Sequence, residues 1–434
     1  MTPEQQMKTN MPQTFTDVAC TVCGCVCDDL RVTVSQDRIS QVEGACRLAE
    51  PWFAALTDAP TRASASIEGR DVSLAEAVER AAQVLRGSRA PLIWGLSRSS
   101  TAGQRAAVAL AQRIGATIDT TASVCHGPSI MAIQEVGEST CSLGEVRNRA
   151  DLVIFWGANP AESHPRHLER YSGGAKGQFV PRGRADRTVV VIDTKATATS
   201  DLADVFIKVP HGKDFDVIWA LRQLLKGVEL PSWTDLGVSH DQLQLLADLM
   251  TNCRYGAVFF GLGIAQRGLG HKNVEALLRL VADLNGFTRF TARRLRIPGD
   301  VAGADSVLCW TTGFPFAVNL ARGYPRYNPG EYTANELLER GEVDACLFVG
   351  SEAVADLSPR AQQALGRIPT IALDYPHVTP PFAAKVQITT AIYGVHAPGT
   401  AYRMDEIPIP LRPFLPSDSP TDEQVLREVL YRLG

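Results

Sequence analysis

Cys20, Cys23, Cys27 and Cys46 stand in the stretches CTVCGCVCDDL and GACRLAE with the spacing C-x2-C-x3-C-x18-C. Three thiolates on one tight loop, joined by a fourth from downstream, can grip a compact inorganic core. An iron–sulfur cube asks for this arrangement, one sulfur per iron from converging directions. Gly24 and Gly44 give the backbone room to bend around such a core. Cys25, inside the same loop, is a spare. A structural zinc site also uses four thiolates, but as a rule in two C-x2-C pairs, and the second pair is missing here. Disulfides need an oxidising compartment that nothing in the chain announces.

Further along, SVCHGPS (Ser123–Ser129) places Cys125 beside His126, ahead of a Gly-Pro break. A thiol with a neighbouring proton carrier on an irregular loop suits a metal ligand, a nucleophile or a packed pair, and the adjacency alone does not choose among them. NPAESHPRHLERY gathers His164, Arg166, His167 and Arg170 just after an apolar run, which predicts a cationic loop for phosphate. The segments FWGANPAE and FVGSEAVA share a pattern of apolar strand, Gly and polar turn, and mark Gly157, Asn159, Gly350 and Glu352 as candidate cofactor contacts. Asp193 closes the run VVVID, where an acidic side chain can take a ribose or purine N–H contact or cap a helix. Gly313–Glu331, with three prolines and several aromatics, reads as a long ordered loop of the sort that lines a site.

The elements that must position these residues are legible in outline. Apolar runs at Pro91–Gly95, Asp151–Pro160, Arg187–Thr197, Tyr255–Ile264, Asp344–Ala353 and Pro369–Tyr375 read as strands buried on both faces, hence a parallel sheet. Helical stretches such as SLAEAVERAAQVLRG, with Ser73 as N-cap, lie between them, so the class is α/β. The 434 residues suffice for two or three domains. A net charge of −4, with 45% hydrophobic and 21% charged residues, offers no basic excess for nucleic acid. No apolar run is long enough for a membrane span, and residues 1–15 lack the apolar core of a signal peptide. Ten cysteines without an export signal point to a cytoplasmic protein.

Taken together, CTVCGCVCDD, GACRLAE, SVCHGPS, FWGANPAESHPRHLERY, IDTKATATSDLADVFI, WTTGFPFAVNLARGYPRYNPGE and GVHAPGTAYRMDEIPIPL span Cys20 to Leu411. In them the chain resembles the molybdopterin oxidoreductases, and most closely the B subunits of formylmethanofuran dehydrogenase and of the related bacterial formyltransferase/hydrolase complex. The resemblance implies a flexible N-terminus over 1–15 and an iron–sulfur domain over 16–62. It implies two Rossmann-like parallel-sheet lobes, the first from 63–145 plus about 325–395 and the second over 146–324, and a C-terminal segment over 396–434. Cys20, Cys23, Cys27 and Cys46 would bind a 4Fe–4S cluster. Cys125 would ligate molybdenum or tungsten held by two pyranopterin guanine dinucleotides, with His126 as proton carrier. An arginine of TARRLRIPG, assigned to Arg293 although Arg294 adjoins it, would orient a carboxylate substrate. The implied chemistry is two-electron interconversion of CO2 and formate. It would feed formyl transfer to a furan amine through partners: an amidohydrolase-type A subunit, a C subunit and a small cap or formyltransferase D subunit. One departure stands out. The family's Arg-Gly-His-Tyr-Asn segment is replaced by RRLRIPGDVAGADS. That departure favours the alternative, a non-redox structural member of the formyltransferase/hydrolase complex, whereas the intact Cys20, Cys23, Cys27, Cys46 and Cys125 favour the leading reading, a metal-competent B subunit of the dehydrogenase type.

Overall fold

The structure, a computed structural model, describes residues 11–57, 64–231, 235–266 and 269–434. It divides into two compact units, one comprising the chain up to Val124 together with Ile297–Gly434, the other Cys125–Arg296. The second unit is thus an insertion into the first. The divisions fall at 124/125 and 296/297, where the sequence suggests 145/146 and 324/325. The expected boundary at 62/63 lies outside the described residues, as does most of the expected flexible N-terminus. Residues 13–15 of that stretch already belong to the strand Gln13–Val18.

The first unit opens with an antiparallel sheet of Gln13–Val18, Leu30–Ser35 and Arg38–Glu43. Its larger sheet has nine strands, and the parallel centre runs Thr117–Thr120, Pro91–Gly95, Ala345–Val349, Thr370–Asp374, Val386–Thr389. In chain order that is 2-1-3-4-5, a doubly wound arrangement whose order reverses between Pro91–Gly95 and Ala345–Val349. Both faces are buried, as the unbroken apolar runs predict. Ile93, Leu347 and Val349 pack with the helices Leu74–Gly87, Thr101–Ile114 and Asp422–Leu433, while Leu92, Trp94, Cys346 and Phe348 pack with the helices Ala334–Arg340 and Pro359–Leu365. Ser73 does cap the first of these helices, in a reciprocal capping box with Glu76.

The long loop over Gly313–Glu331 is partly ordered as strand. Val318–Asn319 and Arg326–Tyr327 extend the edge of the nine-stranded sheet, and Phe314 stacks on Tyr327 at 5.0 Å. Asp119 fixes this segment by accepting from Ala317 N at 2.9 Å and Ala334 N at 2.8 Å. The variant stretch after Arg296 is also more regular than a loop. Asp300 caps the helix Val301–Thr312, accepting from Gly303 N at 3.2 Å.

The second unit is a five-stranded parallel sheet in the order Val205–Lys208, Thr188–Asp193, Leu152–Trp156, Tyr255–Phe260, Arg289–Arg294. Its chain order, 3-2-1-4-5, is that of a dinucleotide-type half and reverses between Leu152–Trp156 and Tyr255–Phe260. Ile154, Trp156, Val190, Ile192, Val258 and Phe260 form one face of its core with the helices Asp214–Leu225, His240–Asn252 and Gly270–Leu284. Among the described residues no helix is long and apolar enough to cross a membrane.

Candidate active site

The cysteine loop joins the first two strands of the N-terminal sheet. It is closed on itself by Cys20 N donating to Cys27 O at 2.8 Å and Val26 N to Cys23 O at 3.1 Å, and pinned from outside by Met404 N donating to Gly24 O at 2.8 Å. Cys20, Cys23 and Cys27 are buried and Cys46 is half-buried. Burial pushes the Cys20 thiol up, and the nearby sulfurs of Cys23, Cys27 and Cys46 add like-charge repulsion. Cys23 is held down, chiefly by the Cys25 thiol that hydrogen-bonds it and also by the charge of Arg98. Cys25 is therefore more than a spare, since it touches one of the four sulfurs.

Thiols brought within electrostatic reach in a buried loop favour a positively charged core that can hold them as thiolates. Among the described residues, however, no group of three or more His, Cys, Asp or Glu side chains converges as a single metal ion requires. A zinc ion would draw four sulfurs to about 2.3 Å from one point. A cube, with one sulfur per corner, would leave them farther apart.

At the switch point of the first unit, the loops after Pro91–Gly95 and Ala345–Val349 meet. Gly95 is there because its backbone has φ +113° and a Cβ would lie 2.4 Å from Val349 O. Gly350 and Glu352 follow the second strand and Arg98 the first. Arg98 Nε donates to Glu352 Oε2 at 2.9 Å, and Asp374 holds the same loop through Ser351 N at 2.7 Å and Ser351 Oγ at 2.8 Å. A cavity of about 180 Å³ opens here, lined by Ser97, Arg98, Thr121, Gly350, Glu352 and Asp356 among others. Ligands of open α/β sheets sit at this position.

The second unit repeats the device. Gly157, at φ +57°, would place a Cβ 2.9 Å from Ile264 N, so the two loops at its switch point can meet only through glycine. Asn159 shapes the adjoining loop, its Oδ1 accepting from Thr199 Oγ1 at 2.6 Å and Thr199 N at 3.1 Å. Asp193 ends its strand half-buried and accepts from Thr194 N at 2.7 Å, a local turn rather than a helix cap. The cationic loop is corrected by what its side chains touch. His164 is buried, with Nδ1 against Ser163 Oγ at 2.8 Å and Nε2 against Arg296 O at 2.9 Å. His167 is buried edge-on to Phe259, ring centroids 4.6 Å apart. Arg166 pairs with Glu169 at 2.7 Å. The two buried histidines thus add little positive charge to this loop, whose cations are Arg166 and Arg170, the latter lying over the Tyr171 ring at 5.1 Å.

Burial pushes His164 down to about 4 and His167 down to about 3, the latter also by the charge of His164. Unfolded imidazoles take up protons below about pH 6.5, while these stay neutral when folded. The stability they contribute is complete above pH 6.5 and falls as the pH drops from there towards 4, by about 1.4 kcal/mol per unit for each ring. His167 Nε2 is buried without a hydrogen-bond partner, and Phe155, Phe259, Tyr171 and Ser172 surround the ring. His167→Phe should shrink the stability lost between pH 7 and pH 5 by about 2 kcal/mol, measured by urea unfolding at both values. An unchanged loss would mean that the ring is protonated in the native chain.

Cys125 is half-buried, one residue ahead of His126, which is itself buried and caps the helix Gly127–Val136. The main-chain carbonyl of His126 accepts from Ser129 N at 2.9 Å. The positive end of a ten-residue helix favours a thiolate, the form in which sulfur bonds a metal. Arg293 and Arg294, inseparable in sequence, have different partners. Arg293 is buried and donates through Nη1 to Thr140 Oγ1 at 2.6 Å, whereas Arg294 faces Glu138 at 3.7 Å. Sequence alone does not single out Arg98 or Asp119. Neither sits in a recognisable motif, and only the paired strands reveal what they touch.

No protein-family model matches the chain. It is 40% identical to the B subunit of tungsten-containing formylmethanofuran dehydrogenase 2 from Methanocaldococcus jannaschii, over 98% of this chain and 99% of that protein. It is 36% identical to the protein of the same name from Methanococcus maripaludis over 97% of this chain and 99% of that one. Among solved structures, a chain of the formyltransferase/hydrolase complex FhcABCD from Methylorubrum extorquens, crystallised with methylofuran, superposes with a TM-score of 0.71 at 24% identity. That match covers 85% of this chain and 98% of that one, and at this identity it speaks for the fold. With identity at this level running nearly end to end, the chain belongs to the family of formylmethanofuran dehydrogenase B subunits.

Proposed function

We propose that this chain is the redox-competent B subunit of a formylmethanofuran dehydrogenase-type complex. The observation that carries the reading is the end-to-end likeness to two tungsten-containing relatives in a chain that keeps every sulfur the chemistry needs. Cys20, Cys23, Cys27 and Cys46 would hold a 4Fe–4S cluster that passes electrons to partner subunits. Gly95, Gly350, Gly157 and Asp193 lie at the strand ends where two pyranopterin guanine dinucleotides would be received, and Cys125 would ligate their molybdenum or tungsten. When bound, that centre supplies the two-electron interconversion of CO2 and formate. The chain's own part is to position and protect. His126, buried beside Cys125, would hold or release the proton that accompanies the electrons. Arg293, its fork steadied by Thr140, would orient the carboxylate. Partner subunits of amidohydrolase and formyltransferase type would then place the formyl group on a methanofuran-type amine.

The rival, a structural subunit without redox activity, draws support from the FhcABCD likeness and from the altered segment after Arg294. Metal analysis of the complex purified without oxygen separates the two readings. The redox reading expects about four irons per chain, with molybdenum or tungsten. Cys27→Ser should remove the iron, whereas Cys25→Ser should keep it, because Cys25 touches a ligand sulfur without completing the set of four. One zinc per chain and no iron would sink the cluster assignment.

A further inference from the structure

We propose that Arg98, held by Glu352, is a positioning residue that sets the reduction potential of the cluster on the cysteine loop, with Glu352 opposing it. The inference rests on the cluster reading above. Arg98 lies at the switch point of the first unit, yet its fork reaches out to the N-terminal loop. Nη1 donates to Thr21 O at 2.8 Å, a carbonyl between Cys20 and Cys23. Nε is anchored on Glu352 Oε2 at 2.9 Å. The main chain of Arg98 is fixed as well, since its carbonyl accepts the phenol proton of Tyr375. The guanidinium is mostly buried, at 22% side-chain exposure, so water screens it incompletely.

An iron–sulfur core becomes more negative on taking up an electron. A fixed cation beside one of its thiolates favours the reduced form, and a fixed anion disfavours it; net charge and hydrogen bonding around the sulfurs are what tune these centres. Arg98 and Glu352 form one pair with opposite leverage. The pair also ties the loop holding the cysteines to the loop after Ala345–Val349.

The opposite signs make the test. In the complex purified with its partners, the cluster's midpoint potential is read by electron paramagnetic resonance during a redox titration, alongside iron content. Arg98→Met should lower the midpoint at unchanged iron, Glu352→Gln should raise it, and Arg98→Lys should stay near the wild type. Loosening of the loop alone would move Arg98→Met and Glu352→Gln in the same direction, and that result overturns the proposal, as does no shift in either. If Arg98→Met loses its iron, Glu352→Gln decides: a raised midpoint supports the proposal and an unchanged or lowered one refutes it. Absence of iron from the wild-type complex would overturn the cluster reading and this inference with it, whereas iron present at an unmoved potential overturns the inference alone.

Discussion

Cys125→Ala should abolish CO2/formate turnover by the complex while leaving its iron content unchanged. Cys125 is half-buried and precedes a buried cap residue at the positive end of a helix. Removing groups that merely support metal ligands costs about 10–100-fold as a rule, so removing the ligand proposed here should cost more than about 100-fold. Cys20, Cys23, Cys27 and Cys46, the proposed cluster ligands, lie in the other unit of the chain, and Cys125 takes no part in the main-chain bonds that close their loop. The measurement is formate oxidation with an artificial acceptor, beside iron and tungsten or molybdenum content. If the wild-type complex shows no such activity, and the variant transfers and hydrolyses formyl groups at full rate, the structural reading takes the place of the redox one.

Much of the scaffold was legible because buried parallel strands announce themselves. PLIWG, DLVIFW, TVVVID, YGAVFF, ACLFV and TIALD are apolar on both faces, and each forms a strand. The strand Arg289–Arg294 was not foreseen. Its sequence, RFTARR, carries three arginines, and an edge position with polar partners at Thr140 and Glu138 overrides its composition. The two compact units divide at 124/125 and 296/297, where no motif marks a boundary. At the site, the cysteines and glycines could be picked out because their chemistry or conformation is demanding. In the loop with His164, Arg166, His167 and Arg170, sequence records residue type but not burial. A histidine wedged against Phe259 is a core residue, and an arginine paired with its own i+3 glutamate offers little free charge. Arg98 illustrates the converse, a single unremarkable letter whose partners at 21 and 352 are remote in sequence.

The largest effect on stability is expected from Arg187, which no motif marks. It lies immediately before the strand Thr188–Asp193 and is buried. Its guanidinium serves four main-chain carbonyls: Nη1 donates to Ala150 O at 2.6 Å and Val146 O at 3.2 Å, Nη2 to Arg147 O at 2.6 Å and Ala175 O at 2.9 Å. Two of these, Val146 O and Arg147 O, belong to the last turn of the helix Leu143–Arg149 and a third to its C-cap, Ala150; Val146 O also accepts from Ala150 N at 3.1 Å. Burial pushes the guanidinium down to about 10, which leaves it charged near neutral pH. Arg187→Met would remove this donor from all four carbonyls, of which Val146 O keeps its bond from Ala150 N. At about 1–3 kcal/mol for each buried group left unpaired, offset by water that can reach some of them, the net loss should be about 3–5 kcal/mol. In a unit of this size that corresponds to a fall in Tm of roughly 10 °C. Arg187→Lys should recover only part of the loss, since an ammonium cannot fork to four acceptors. A loss below about 1 kcal/mol would mean that water replaces the guanidinium. The consequence should extend to the site. The strand after Arg187 ends at Asp193, and the neighbouring strand Leu152–Trp156, which starts just after Ala150, leads into Gly157. One buried cation thus anchors the near ends of the two strands whose far ends carry candidate cofactor contacts.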